Sequence, residues 1–151
     1  MLLLVIASTA AFDRSAQLVG TPYGRAGASR RVRDAPSMPS LIVQSAVAPA
    51  SPRKLCTRLS KAVALALGKP ESYVLTSFQK VDAMSFGGDA DTPAAFLYLS
   101  SLGSITPETN KDASKAIADI LQDELGVPPN RYYINFLDSP RPNMGYNGGT
   151  F

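Results

Sequence analysis

The 151-residue sequence contains no histidine. That removes the commonest general base, every Ser-His pair and every imidazole metal site. A single cysteine, Cys56, excludes an intrachain disulfide, a Cys-x-x-Cys redox pair and a cysteine zinc cluster. Acid–base chemistry would therefore fall to a carboxylate, a lysine, a tyrosine or a terminal amine. Long apolar runs are also scarce: residues 1–7 form the clearest one, far too short for a permanent membrane span. What remains is ordinary for a globular chain, 45% apolar and 18% charged, and long enough for one domain with a real core.

The net charge of +3 is unevenly placed. Residues 1–38 hold five arginines (Arg14, Arg25, Arg30, Arg31, Arg33) against Asp13 and Asp34, which accounts for the whole excess. Residues 39–151 carry 10 basic and 10 acidic side chains and are neutral. A neutral body has no basic stripe for phosphate backbones, which argues against nucleic-acid binding.

The first 38 residues read as a presequence. The apolar start followed by "STAAF" fits a signal peptide of about 11 residues. The arginine-rich, acid-poor stretch after Phe12 has the composition of an organelle transit peptide. Together they resemble the bipartite presequences that carry proteins to algal plastids through the secretory route. The expected destination is the secretory pathway, ending outside the cell or in a plastid. Two other readings stand beside it: a disordered basic arm, and a true start at Met38, which would leave the protein in the cytoplasm.

From Ser40 the pattern becomes regular. A strand over 40–46 with a continuous apolar centre suggests burial on both faces. A helix follows, with Ser51 as N-cap, Pro52 at its first position and Gly68 just past its end. Leu55, Leu59, Ala62, Val63, Ala66 and Leu67 share one side, with Arg53, Lys54, Arg58 and Lys61 outside. Strands are expected over 73–81 and 94–102, separated by a turn-rich stretch in which Gly87-Gly88 lacks phosphate-loop spacing and reads as a turn. The order then repeats. Thr106 and Pro107 open a second helix with Ala113, Ala116, Ile117, Ile120, Leu121 and Leu125 as its apolar set. Gly126 closes it, a fourth strand covers 131–137, and Asn147-Gly148-Gly149 turns the tail into a short final strand ending at Phe151. The expected fold is α+β: a duplicated β-α-β unit with one four-stranded mixed sheet and both helices on one face. Two helices cannot cover the second face, so oligomerisation is expected. Cys56 reads as core packing on the first helix.

Five fragments in order carry a family resemblance: "PSLIV" from Pro39, "GKPESYV" at 68–74, "MSFGG" at 84–88, "SSLGSI" at 100–105 and "RYYINFLDSPRPNMGYNGGTF" at 131–151. Residues 39–151 resemble the family of macrophage migration inhibitory factor and D-dopachrome tautomerase. The resemblance implies a homotrimer with active sites at subunit interfaces, no cofactor, and keto–enol tautomerisation of a small aromatic 2-oxo acid or its enol. It implies that Pro39, as a free amino-terminal proline, is the catalytic base and that Lys69 holds the acidic end of the substrate. Leu102 then lines the same pocket, Tyr133 and Asn135 enter it from the neighbouring subunit, and Met144 and Tyr146 form its apolar rim. Tyr73 and Phe151 are further wall positions. Some family members have tryptophan at the position of Tyr146. The Cys-x-x-Cys of the animal cytokine is matched here by Ala94 and Leu97, so thiol chemistry is not inherited. The alternative function is a secreted, cytokine-like ligand for a receptor protein, with a vestigial pocket. The base role sets a covalent condition: inside the Met38–Pro39 peptide bond the proline nitrogen is an amide and cannot accept a proton.

Overall fold

A computed structural model describes residues 38–151; the expected signal and transit segments lie outside the described residues. The chain runs β1 (Ser40–Ser45), α1 (Pro52–Leu67), β2 (Leu75–Lys80), β3 (Ala95–Ser101), α2 (Pro107–Leu125), β4 (Tyr132–Asp138) and a terminal hairpin, β5 (Gly145–Tyr146) and β6 (Gly149–Thr150). The main sheet has the order β2-β1-β3-β4. β1 and β2 are parallel, as are β3 and β4, while β1 and β3 meet antiparallel at the centre. Each parallel pair is closed by its own helix, so the sheet is two β-α-β units joined side by side.

Both helices begin and end as their sequences dictate. The Ser51 side chain accepts the Lys54 amide, and Thr106 and Thr109 form a reciprocal capping box at α2. Gly68 and Gly126 adopt left-handed φ of 62° and 64°, where a side chain would be strained, and the chain turns back toward the sheet. Leu55, Leu59 and Val63 of α1 and Ala113, Ile117 and Leu121 of α2 are fully buried against Leu41, Val43, Leu97 and Leu99. The helices are also tied by charge: Arg58 binds Asp123 at 2.8 Å and Glu124 at 2.6 Å, and Lys54 binds Glu124 at 3.0 Å. Arg58 and Lys54 hold the Glu124 carboxyl below the usual carboxylate range.

Two details depart from expectation, the start of β2 and the burial of β1, while the tail turns where expected. A 3-10 turn at Glu71–Tyr73, entered from Pro70, delays β2 by two residues. The tail pairs with itself: Asn147 (φ 50°) and Gly148 (φ 78°) make the tight turn between β5 and β6, which form a separate two-stranded sheet. β1 is buried on one face only within the protomer: Leu41 and Val43 are enclosed, whereas Ile42 is half-buried on the face that the helices leave open. Cys56 is half-buried, and its carbonyl accepts the Thr76 hydroxyl at 3.0 Å.

Candidate active site

The strand register puts the expected pocket residues in two places. Pro39 precedes the Ser40–Ser100 pair, so it lies level with Ser101 at one end of the sheet. Its ring is fully buried and its carbonyl accepts the Leu75 amide at 2.9 Å, which pins the start of β1 to the start of β2. Lys69, half-buried, follows α1 at this same end, its amide bound to the Ala64 carbonyl at 2.8 Å. Leu102, 5% exposed, follows Ser101 directly. β4 also finishes here, where Ser139 N–H donates to the Ser101 carbonyl at 2.8 Å. The tail that carries Met144 and Tyr146 therefore departs from the Pro39 end. Tyr146 stacks on Phe151 with ring centroids 5.6 Å apart, and the Phe151 amide reaches the Met144 carbonyl at 3.3 Å.

Tyr133 and Asn135 sit elsewhere. Tyr133 is paired with Phe96, five residues along β3 from the level of Pro39. That is about 17 Å along the strands and about 10 Å across them. Asn135 is level with Tyr98. Both point to the open face with Leu137, whereas Tyr132, Ile134 and Phe136 turn toward the helices. Within one protomer, Pro39 and Tyr133 cannot share a small substrate. Pro39, Lys69, Leu102 and the tail gather at one end; Tyr133 and Asn135 are presented outward.

Sequence reasoning missed the surroundings of both groups. At the Pro39 end, the hydroxyl of Ser101 is fully buried and has no hydrogen-bond partner among the described residues. At the other end, Phe86 packs on Tyr133 with centroids 5.0 Å apart, and the Arg131 guanidinium lies 5.6 Å from the Phe86 ring. Arg131 donates to the carbonyls of Pro93 (3.1 Å), Phe86 (3.4 Å), Asp89 (3.0 Å) and Thr92 (2.9 Å), and binds the Asp89 carboxylate at 3.1 Å. Hydrogen bonds from Thr92 and the Asp91 amide, with Arg131 nearby, lower the Asp89 carboxyl to about 2. Gly87-Gly88 is a turn, as expected: both have positive φ, and Phe86 and Asp89 exchange backbone hydrogen bonds of 3.0 and 3.2 Å. "MSFGG" and "RYYIN" were both legible as fragments, but nothing in either shows that Arg131 reaches back across 45 residues.

The family model described as macrophage migration inhibitory factor matches residues 38–151. The chain belongs to the macrophage migration inhibitory factor family. It is 47% identical over 92 residues to a macrophage migration inhibitory factor homolog of Trichuris trichiura, covering 61% of this chain and 80% of that protein. The macrophage migration inhibitory factor of Rattus norvegicus is 37% identical over 115 residues, 76% of this chain and 99% of the rat protein. Among solved structures, the Toxoplasma gondii family member superposes with a TM-score of 0.69 at 36% identity, covering 74% of this chain and 99% of that one. The homologue from Prochlorococcus marinus gives 0.70 at 34% identity, covering 74% and 98%. The family match thus encompasses both groups of expected pocket residues, and Ala94, Leu97 and Tyr146 lie inside a shared fold.

Proposed function

We propose that this member of the macrophage migration inhibitory factor family is a homotrimeric keto–enol tautomerase of the phenylpyruvate and dopachrome type, with Pro39 as general base after cleavage of the Met38–Pro39 bond. The observation that carries the reading is the division of the pocket residues between a buried end and an outward face. Such a division makes sense if a neighbouring copy brings its Tyr133 and Asn135 to this copy's Pro39, Lys69 and Leu102.

The chemistry follows from these groups. A free proline terminus is a secondary amine, mostly protonated in water. An apolar wall and a nearby ammonium both disfavour its charged form, leaving it ready to accept a proton. Lys69 binds the substrate carboxylate, and Pro39 takes a proton from the carbon beside the carbonyl. Tyr133 and Asn135 donate hydrogen bonds to the oxygen on which charge develops, and the protonated Pro39 gives its proton back to that oxygen, directly or through water, which yields the enol and restores the free amine. The reverse sequence returns the ketone. Leu102, Met144 and Tyr146 exclude water around the aromatic ring.

The test uses protein trimmed to begin at Pro39, assayed with phenylpyruvate. Activity that disappears on acetylation of Pro39 supports the proposal. No activity, or equal activity after acetylation, refutes it.

A further inference from the structure

Tyr133 is 66% exposed within the protomer, yet one side of its ring is packed against Phe86. An exposed tyrosine on a strand ordinarily keeps several rotamers, and a substrate would have to select one of them at an entropic cost. Here Phe86 contacts the ring in a tilted arrangement at 5.0 Å, inside the favourable range for aromatic pairs. The packing on the remaining side is loose: a cavity of about 310 Å³, lined by Met84, Ser85 and Phe96, opens beside the pair. Without Phe86 the Tyr133 ring would have room to swing into it.

Phe86 is in turn fixed by Arg131. Residues 131 and 133 fall on the same side of the strand, two positions apart, so the loop ring sits across both. The guanidinium lies 5.6 Å from the Phe86 ring and bonds to four carbonyls between Phe86 and Pro93. Those bonds need the five-donor planar fork of arginine; a lysine ammonium could not make them together. The Gly87-Gly88 turn, with φ of 63° and 86°, brings the loop back on itself so that Phe86 faces β4.

We propose that Phe86 and Arg131 are positioning residues for Tyr133, forming a strut that orders the tyrosine ring before a substrate or a second copy of the chain arrives. The inference rests on the reading of Tyr133 as a pocket residue, but its structural half can be measured separately.

The experiment uses the form beginning at Pro39 with ring-¹³C-labelled tyrosine. The Tyr133 resonance is identified by its loss in Tyr133→Phe. In Phe86→Leu that resonance shifts and broadens, and Phe86→Tyr restores it. With phenylpyruvate, Phe86→Leu lowers kcat per folded molecule about tenfold, because Tyr133 acts on charge that develops in the transition state, and Phe86→Tyr restores it. Simple destabilisation would lower only the amount of folded protein, which the other tyrosine resonances count, and leave kcat per folded molecule alone. If Phe86→Leu does not fold, Arg131→Lys carries the same test, since it keeps the charge and loses the fork. An unmoved Tyr133 resonance in the folded variants overturns the strut. So does an unchanged kcat per folded molecule in Phe86→Leu when Tyr133→Phe lowers it. A moved resonance in a protein with no tautomerase activity supports the strut and refutes the functional reading instead.

Discussion

The two faces of the four-stranded sheet follow the same alternation and end in opposite conditions. Toward the helices, Leu41, Val43, Leu97 and Leu99 are fully enclosed. On the other face, Leu75, Phe96, Tyr133 and Leu137 are 64, 40, 66 and 41% exposed. The only side-chain hydrogen bond between strands on this part of the face joins Gln44 to Gln79 at 2.9 Å, among the described residues. A single sheet with two helices has enough apolar surface for two layers of cover and only one layer to supply it. The covered face makes the protomer stable. The open face carries Tyr133 and Asn135, and its exposed apolar side chains are those the proposed assembly would cover.

The largest effect expected concerns the Pro39 end. The chain with Met38 attached shows only background tautomerase activity, at least about 10²-fold below the form beginning at Pro39, as befits loss of a general base. Mass determination of the mature amino terminus, alongside the assay, decides whether the cell makes that cut. Complementation then tests the division between the two ends. Trimmed Pro39→Gly and Tyr133→Ala proteins are each crippled, and refolding an equal mixture recovers about a quarter of normal activity by random assortment at shared interfaces. Recovery of none would break the division.

Stability separates the faces next. Leu59→Ala or Leu121→Ala costs about 2–5 kcal/mol in denaturant unfolding, because each empties a fully buried site on the helix side. Leu75→Asp on the open face leaves the protomer fold intact and lowers the assembled mass in sedimentation. Equal unfolding losses from both would show that the open face is part of the core.

A smaller effect depends on pH. The Asp89 carboxyl is depressed from 3.8 to about 2, so the folded state prefers it ionised. Its contribution to stability is fully present above about pH 4 and is lost as pH falls toward 2. Asp89→Asn should flatten that part of the stability profile, read by thermal melts across the window, and an unchanged profile would show the clamp to be passive. The smallest effect concerns Ser101. Replacing its buried hydroxyl, which has no partner among the described residues, by Ser101→Ala should stabilise the protein by about 1 kcal/mol, since no bond is lost and a desolvation cost is removed. A loss of stability would reveal a partner for that hydroxyl.

Much of the fold was legible because its signals are local. Ser51, Pro52 and Gly68, and Thr106, Pro107 and Gly126, mark the helix ends by satisfying orphan backbone groups at those residues, and the structure places the helices between them. Strand boundaries were less exact. Tyr73 has a strand-like side chain, but Pro70 starts a 3-10 turn that absorbs it. The tail turn was legible in Asn147-Gly148, since a turn motif specifies that the chain reverses, although it does not specify which strand the chain will meet. Of the site, the family resemblance supplied the expected residues and the expectation that Tyr133 and Asn135 come from a neighbouring subunit, whereas the distances within one protomer were not legible. That Pro39 lies two strands away from Tyr133 and five residues apart in register depends on how β1, β3 and β4 pair.

By itself the sequence determined the absence of imidazole and disulfide chemistry, the neutral body behind a basic leading segment, the helix limits and the β-α-β repeat. Each depends on composition or on residues within a few positions of one another. Only the tertiary structure decided which apolar residues are enclosed and which stand on an open face, that Arg131 reaches the carbonyls of a loop some 40 residues away, and that the pocket residues divide between two places. Those features depend on strand pairing and long-range contacts, whose geometry is set by the packed whole and is written in no single stretch of the chain.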